Sequence, residues 1–356
     1  MHIEPVVTLP LFLAVISLPG CADTVTVGGN AFSDAFATST DGGGRRDGGP
    51  TRTGGDDAGL GGGDDAGLEG GATGPRGVRE LEAGGIARTY ELVLPDAPAG
   101  APVVFLFHGQ GGSSRELLGI ADPPIRTPWS LWLDLAAEEN LILVVPDALH
   151  ADGTRTWNDC RPQTPERFDD VGFFDALLDH VLEEHGADRE NVFATGFSNG
   201  GQLVLRLAEE RPERLKAIAP ISASMSDDPA SPCVRSDVPL SALFINGSMD
   251  AILPYDGGEM WGGQGRVLEL WDVAEIFVAR NGITESPTVW YGAASFWFWG
   301  SQDGPAVQLL PIWNGGHVEP SIAVEVDLPA PIFGPQSRDV EMTEIVWGFF
   351  GPLVAP

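Results

Sequence analysis

One eleven-residue segment, Asn191 to Gly201, restricts the fold of this chain more than any other. The short apolar run Asn191-Val192-Phe193-Ala194-Thr195 reads as a strand and leads into Gly196-Phe197-Ser198-Asn199-Gly200, a Gly-x-Ser-x-Gly pattern. A helical pattern, Gln202 to Glu210, follows at once. Strand, tight turn and helix form the local context of a nucleophile elbow. Gly196 and Gly200 lack side chains, so strand and helix can close around a turn whose apex residue carries strained dihedrals. Such a turn lifts the Ser198 hydroxyl clear of the sheet and sets it near a helix N-terminus, where the dipole favours a developing negative charge. Taken alone, the pattern fits an ordinary Gly-rich strand–helix turn as well as a nucleophile. The rest of the chain decides between them.

Not all of the 356 residues can belong to one globule. Val6 to Leu18 is an apolar stretch broken by Pro10, too short to span a bilayer as a helix. It ends in Leu18-Pro19-Gly20-Cys21, which resembles the lipobox of bacterial lipoprotein signal peptides, so residues 1–21 read as a leader with Cys21 as the acylated residue. The preceding Met1-His2-Ile3-Glu4-Pro5 has no basic residue, which leaves a plain secretory signal or a misplaced start codon as alternatives. Residues 22–77 read as a linker, rich in Gly and Asp from about Thr40 onward, with a near-repeat of Asp-Asp-Ala-Gly-Leu. That composition cannot bury enough apolar area to offset backbone entropy, so the expectation is a disordered tether reaching on the order of 35 Å. Residues 78–356 remain for one α/β domain.

The net charge of −31, with Lys216 as the single lysine, disfavours nucleic-acid binding and is read as a solubility feature. With Cys21 lipidated, Cys160 and Cys233 form an even pair outside the cytoplasm, where a disulfide persists. Such a bridge would close a loop of about 70 residues, worth roughly 4 kcal/mol in the chain-entropy treatment.

Partners for Ser198 follow from strand ends. Pro102 to Phe107 is a continuous apolar run, as the middle of a parallel sheet demands, and it opens into His108-Gly109-Gln110-Gly111-Gly112-Ser113. A loop in this position would offer the Gln110 amide to an oxyanion, together with the amide of Asn199. His108 would buttress that loop. After the elbow, Leu240 to Asn246 is another buried run, and Asp250 lies just beyond its end as the candidate acid, with Asp256 as rival. Of six histidines only His317 lies after Asp250, beyond the strand-like Val307 to Trp313 and the turn Asn314-Gly315-Gly316. The order serine, acid, histidine is that of an α/β-hydrolase.

Together, Gly-x-Ser-Asn-Gly-Gly, His-Gly-x-Gly-Gly-Ser, Trp157-Asn158-Asp159, Asp169-Asp170-Val171-Gly172-Phe173, Asn246-Gly247-Ser248-Met249-Asp250 and Gly315-Gly316-His317 resemble the secreted polyhydroxybutyrate depolymerase and feruloyl esterase group of α/β-hydrolases. The resemblance covers about Arg88 to Phe350. It implies Ser198, Asp250 and His317 as triad and Gln110 and Asn199 as oxyanion donors; Trp157 reads as a packed residue, although in relatives of the group it borders the cleft. Relatives show His-x-Trp-Pro-Gly after the histidine, where this chain has His317-Val318-Glu319-Pro320-Ser321. Glu319 is thus expected to bring a carboxylate near the acyl site in place of an aromatic wall.

Asp169-Asp170 precedes an amphipathic run, Val171 to Val181, and reads as ordinary helix capping; no cluster there has metal-ligand spacing. Phe296-Trp297-Phe298-Trp299 is either a substrate platform or a buried or edge strand. The expectation is a mostly parallel sheet with helices on both faces, carrying a secreted or lipid-anchored serine esterase without cofactor or metal. Its membrane contact would be through the lipid anchor only, and its substrate a polyhydroxyalkanoate or, alternatively, a feruloyl or acetyl ester on plant polysaccharide. A peptidase and a non-catalytic surface-binding lipoprotein are the remaining readings.

Overall fold

The computed structural model describes residues 76–354 except 152–153, 164–167, 292–293 and 301–303. The expected leader, Cys21 and nearly all of the expected tether lie outside the described residues. The first element, β1 (Arg76–Ala83), forms a hairpin with β2 (Ile86–Val93). Then come β3 (Val103–Phe107), the short α1 (Ser114–Leu117), α2 (Trp132–Glu138) and β4 (Ile142–Pro146). A two-residue ribbon, β5 (His150–Ala151) with β6 (Thr154–Arg155), precedes α3 (Asp170–His185), β7 (Val192–Phe197) and α4 (Asn199–Glu210). After β8 (Ala217–Ile221) and β9 (Ser241–Gly247) a second ribbon pairs β10 (Gly258–Glu259) with β11 (Arg266–Val267). The chain closes with α5 (Leu270–Arg280), β12 (Thr288–Trp290), β13 (Phe296–Trp299), β14 (Val307–Ile312), α6 (Ala330–Phe333) and α7 (Met342–Phe350).

Ten strands make one sheet in the order β1-β2-β4-β3-β7-β8-β9-β14-β13-β12. The six central strands, β4 to β14, pair parallel, and the two pairs at each side are antiparallel. Every residue of β3, β4, β8 and β9 is buried, because helices cover both sheet faces and a parallel strand so enclosed reads as one apolar run. Alternation divides the strand side chains between two cores. Val103, Phe105 and Phe107 face α3, α4 and α5, whereas Val104 and Leu106 face α1, α2 and α7. The aromatic run Phe296 to Trp299 is β13, hydrogen-bonded on both sides within the sheet.

Two neighbouring carboxylates at the start of α3 differ in environment, Asp169 exposed and Asp170 buried. Asp169 caps α3, its carboxylate accepting from the Gly172 amide at 2.8 Å. Asp170 has a different role from the capping expected of it. It is buried and paired with Arg88 at 2.7 Å, and the guanidinium lies 4.1 Å from the centre of the Phe173 ring. The cysteine pairing is as expected: Cys160 and Cys233 form a disulfide with their Cα atoms 5.6 Å apart, joining the segment before α3 to the segment before β9. Among the described residues no helix is long and apolar enough to cross a membrane.

Candidate active site

The turn after β7 has the geometry its glycines suggest. Ser198 sits between β7 and α4 with φ 53° and ψ −121°, a left-handed conformation that costs a non-glycine residue on the order of 1–3 kcal/mol. Gly200 makes the turn feasible, since a Cβ there would run into the carbonyl oxygens of Phe107 and His108. Ser198 is therefore held at the C-terminal edge of the sheet, half-buried, at the start of α4.

His317 and Asp250 meet it there from two other strand ends. The Ser198 hydroxyl lies 2.8 Å from His317 Nε2, and His317 Nδ1 lies 2.6 Å from Asp250 Oδ2. With the proton on Nδ1, that nitrogen donates to Asp250 and Nε2 accepts from Ser198; this tautomer is assigned from the bonding pattern. The other carboxylate oxygen of Asp250 accepts from the amides of Ile252 at 2.9 Å and Leu253 at 2.8 Å, which fixes the carboxylate plane. Asp256, the rival acid, is exposed in the following turn. The His317 backbone is anchored in turn, its amide donating to the Phe333 carbonyl at the end of α6. Serine, imidazole and carboxylate thus form one hydrogen-bonded line, with the latter two buried. Such a line can take a proton from the serine and stabilise the resulting imidazolium.

The loop after β3 lies against this line. A Cβ on Gly109 would stand 3.6 Å from the Ser198 Cβ, so the loop passes directly beside the nucleophile candidate. Gln110 is exposed at its tip, and Asn199 is buried at the first position of α4. His108 supports the loop from below. Its Nδ1 donates to the Gly109 carbonyl at 2.7 Å and its Nε2 accepts from the Ala148 amide at 3.1 Å. Burial pulls its imidazole down to about 4, so it stays neutral and keeps both bonds at ordinary pH. The unfolded chain takes up a proton near pH 6.5 that the folded site refuses until about 4. The His108 contribution is therefore complete above pH 6.5 and is lost as pH falls toward 4, a change on the order of 3 kcal/mol. Urea unfolding at pH 7 and at pH 4.5 should show the wild-type chain losing more stability than His108→Gln. Equal losses would remove this assignment.

Of the two cleft candidates, Trp157 packs as its own residue-level reading expects, and Glu319 is turned away from the place expected of it. Trp157 is fully buried, packed edge-on against Phe107 at 5.4 Å, with its indole donating to the His108 carbonyl at 2.8 Å. It supports the floor of the site and does not line the cleft. Glu319 points inward as well: its carboxylate accepts from the Trp129 indole at 2.8 Å, and burial raises its pKa. Its carboxylate is buried against Trp129 instead of standing where the aromatic wall of relatives would be expected. Motif reading quotes Asp159 without giving it a role and misses Arg161; the two hold the loop before α3, paired at 2.6 Å with both side chains buried. The motif Trp157-Asn158-Asp159 is the sequence signal for this loop. Cys160, Glu210 and Cys233 converge within 4.8 Å, but the two sulfurs are bonded to each other and are not thiolates.

The sheet order, the elbow and the strand-end placement of Ser198, Asp250 and His317 define an α/β-hydrolase fold. The fold matches that of an acetyl xylan esterase from Aspergillus awamori, with a TM-score of 0.52 at 13% identity over 78% of this chain and 99% of that one. In sequence the chain is similar to the feruloyl esterase group. It is 29% identical over 198 residues to feruloyl esterase C of Emericella nidulans, which covers 55% of this chain and 62% of that protein. It is 30% identical over 174 residues to feruloyl esterase D of Neurospora crassa, covering 48% and 55%. The chain spans between 50% and 63% of the length of the first curated relatives it matches. No protein-family model matches it.

Proposed function

We propose that this chain is a serine hydrolase acting on carboxylic esters, and that its substrate is an acyl group, feruloyl or acetyl, esterified to plant polysaccharide. The observation carrying the reading is the Ser198–His317–Asp250 line, with contacts of 2.8 and 2.6 Å at the edge where the parallel strands end. Ser198 Oγ attacks the ester carbonyl carbon while its proton passes to His317 Nε2. The carbonyl electron pair moves onto oxygen, which the amides of Gln110 and Asn199 receive. Collapse expels the alcohol, which takes the proton back from His317 and leaves an acyl-enzyme. Water, deprotonated by the same imidazole, then releases the acid. Throughout, Asp250 holds the imidazole in the tautomer this shuttle needs. The names of the sequence relatives support the choice of acyl polysaccharide.

A polyhydroxyalkanoate is the second reading, and one observation favours it. Met249 and Trp313, 57% and 54% exposed, stand on the loops that carry Asp250 and His317, an apolar border suited to a polyester. Turnover of methyl ferulate, acetylated xylan and hydroxybutyrate oligomers should separate these readings. The first is upheld by turnover of methyl ferulate or acetylated xylan at least about tenfold above the oligomers, equivalent to about 1.4 kcal/mol. The reverse order would replace it with the second, and silence on all three would remove both.

We propose in addition that residues 1–21 are a lipoprotein leader, that Cys21 carries the lipid and that the segment to about Gly77 is a tether for the hydrolase domain. Labelled palmitate should enter the full chain and be lost in Cys21→Ala. Incorporation that survives the substitution would discard the anchor.

A further inference from the structure

The segment from Arg155 to Arg161 touches both places that would supply oxyanion donors. On one side it is tied to the loop of Gln110: the Arg155 carbonyl accepts from the Gly111 amide at 2.8 Å, and the Trp157 indole donates to the His108 carbonyl at 2.8 Å. On the other side the Asn199 side chain clasps it. Asn199 Oδ1 accepts from the Trp157 amide at 2.7 Å, and Nδ2 donates to the Trp157 carbonyl at 3.2 Å and to Asp159 Oδ2 at 2.5 Å. Both N–H donors of the Asn199 side chain, and its oxygen as acceptor, are thereby directed at Trp157 and Asp159.

Asp159 holds this clasp in place. Its Oδ2 also accepts from Arg161 Nε at 2.8 Å and Nη2 at 2.6 Å, and Arg161 Nη1 reaches the Gln264 side chain at 3.1 Å. Asp159, Arg161 and Asn199 are 4%, 4% and 2% exposed, so the bonds among these three side chains are buried. The segment is fixed at two further points, by the Asn158 amide donating to Asp170 at 2.7 Å and by the Cys160–Cys233 bridge. A buried ion pair is weak evidence for stability, because desolvation cancels much of the attraction. Placement is what this pair secures. An amide at the first position of a helix has no intrahelical acceptor, and its direction depends on what holds the residue that carries it. Displacement of a site group by about 1 Å can cost on the order of a hundredfold in rate.

We propose that Asp159 is a positioning residue for ester hydrolysis: bridged to Arg161, its carboxylate holds the Asn199 side chain so that the Asn199 backbone amide stays aimed at the oxyanion. The proposal rests on the reading of Ser198 as nucleophile and Asn199 as oxyanion donor, and it deepens that reading. It is tested in the full chain with p-nitrophenyl acetate, comparing wild type, Ser198→Ala, Asp159→Asn, Asn199→Ala and the Asp159→Asn/Asn199→Ala double variant. Asn199→Ala keeps the backbone amide and removes only the clasp. Each clasp variant should lower kcat by about tenfold to a hundredfold with KM changed by less than about threefold. The double variant should lose no more than the worse single one, since both act through one contact. Affinity for a trifluoromethyl ketone should fall with kcat. That inhibitor adds to Ser198 Oγ, gives the serine proton to His317 and leaves a negative oxygen where the donors point.

Losses that multiply in the double variant would overturn the proposal. So would an Asp159→Asn protein that melts normally and keeps kcat within twofold, or a ketone affinity that stays constant while kcat falls. If Asp159→Asn does not fold, Asn199→Ala with unchanged kcat and ketone affinity is equally decisive against it. Activity that survives Ser198→Ala would instead strike the underlying reading, which keeps the two failures distinguishable.

Discussion

Replacing Ser198 with alanine should lower kcat on a soluble chromogenic ester by at least about 10⁴-fold, leaving what binding and the oxyanion donors supply alone. The expectation follows from geometry. Ser198 Oγ is the atom at 2.8 Å from His317 Nε2, and its strained backbone holds it at the sheet edge instead of in the core. Strain of this kind persists only where the surrounding structure imposes it. The alanine variant should therefore fold, and its melting temperature should equal or exceed that of wild type. His317→Ala should lose a similar factor, and the double variant no more, since the groups act as one unit. Turnover by Ser198→Ala within tenfold of wild type would exclude Ser198 as nucleophile and place the chemistry on another group.

The second large effect is on stability. Asp170→Asn should destabilise the domain by about 3–5 kcal/mol, because it leaves the Arg88 guanidinium buried without its counter-charge. Arg88 and Asp170 are 3% and 1% exposed. Burial drives both away from their charged forms, Asp170 upward and Arg88 downward, with their mutual attraction opposing it. The penalty of burial is thus only partly met by the partner, which is why removal of one partner costs more than the pair contributes. Replacing both with apolar residues of similar volume should recover most of the loss. Urea unfolding of Asp170→Asn and of an Arg88→Met/Asp170→Leu double variant measures this directly. A loss below about 1 kcal/mol in Asp170→Asn would show that water reaches the pair. Since Asp170 also accepts from the Asn158 amide, part of the loss should appear as mobility in the segment that clasps Asn199.

The parts of this architecture that sequence made legible are those with a local signal. The elbow announces itself because only glycines tolerate the approach of α4 to β3, and the buried strands do so because enclosure on both faces demands unbroken apolar runs. Asp250 and His317 could be picked out because each follows such a run, although Asp256 satisfied the same rule and only the 2.6 Å contact separates the two. What stayed hidden depends on partners distant in the chain. Asp170 looks like a cap until Arg88 is placed beside it. Glu319 looks like a cleft residue until Trp129, 190 positions earlier, accounts for its carboxylate. Trp157 sits in a loop, and no periodicity could say that its ring turns down onto Phe107. For Phe296 to Trp299 the ambiguity was intrinsic, since four aromatics in a row carry no alternation, and pairing with β12 and β14 resolved it.

Ser198 and His317 are 119 residues apart in the chain, and Asp250 joins them from a third strand end. Between β7 and β14 the sheet interposes β8 and β9, so the three groups meet only when these strands are assembled side by side. With Ser198, His317 and Asp250 acting as proposed, ester turnover would report completion of the sheet from β7 to β14. During refolding it should return only with the last phase that pairs β14 to β9, later than helical signal from α3 and α4. A fragment ending before β14 would be silent however well its first strands had formed, and activity measured across a denaturant series would count finished molecules instead of averaging over partly built ones.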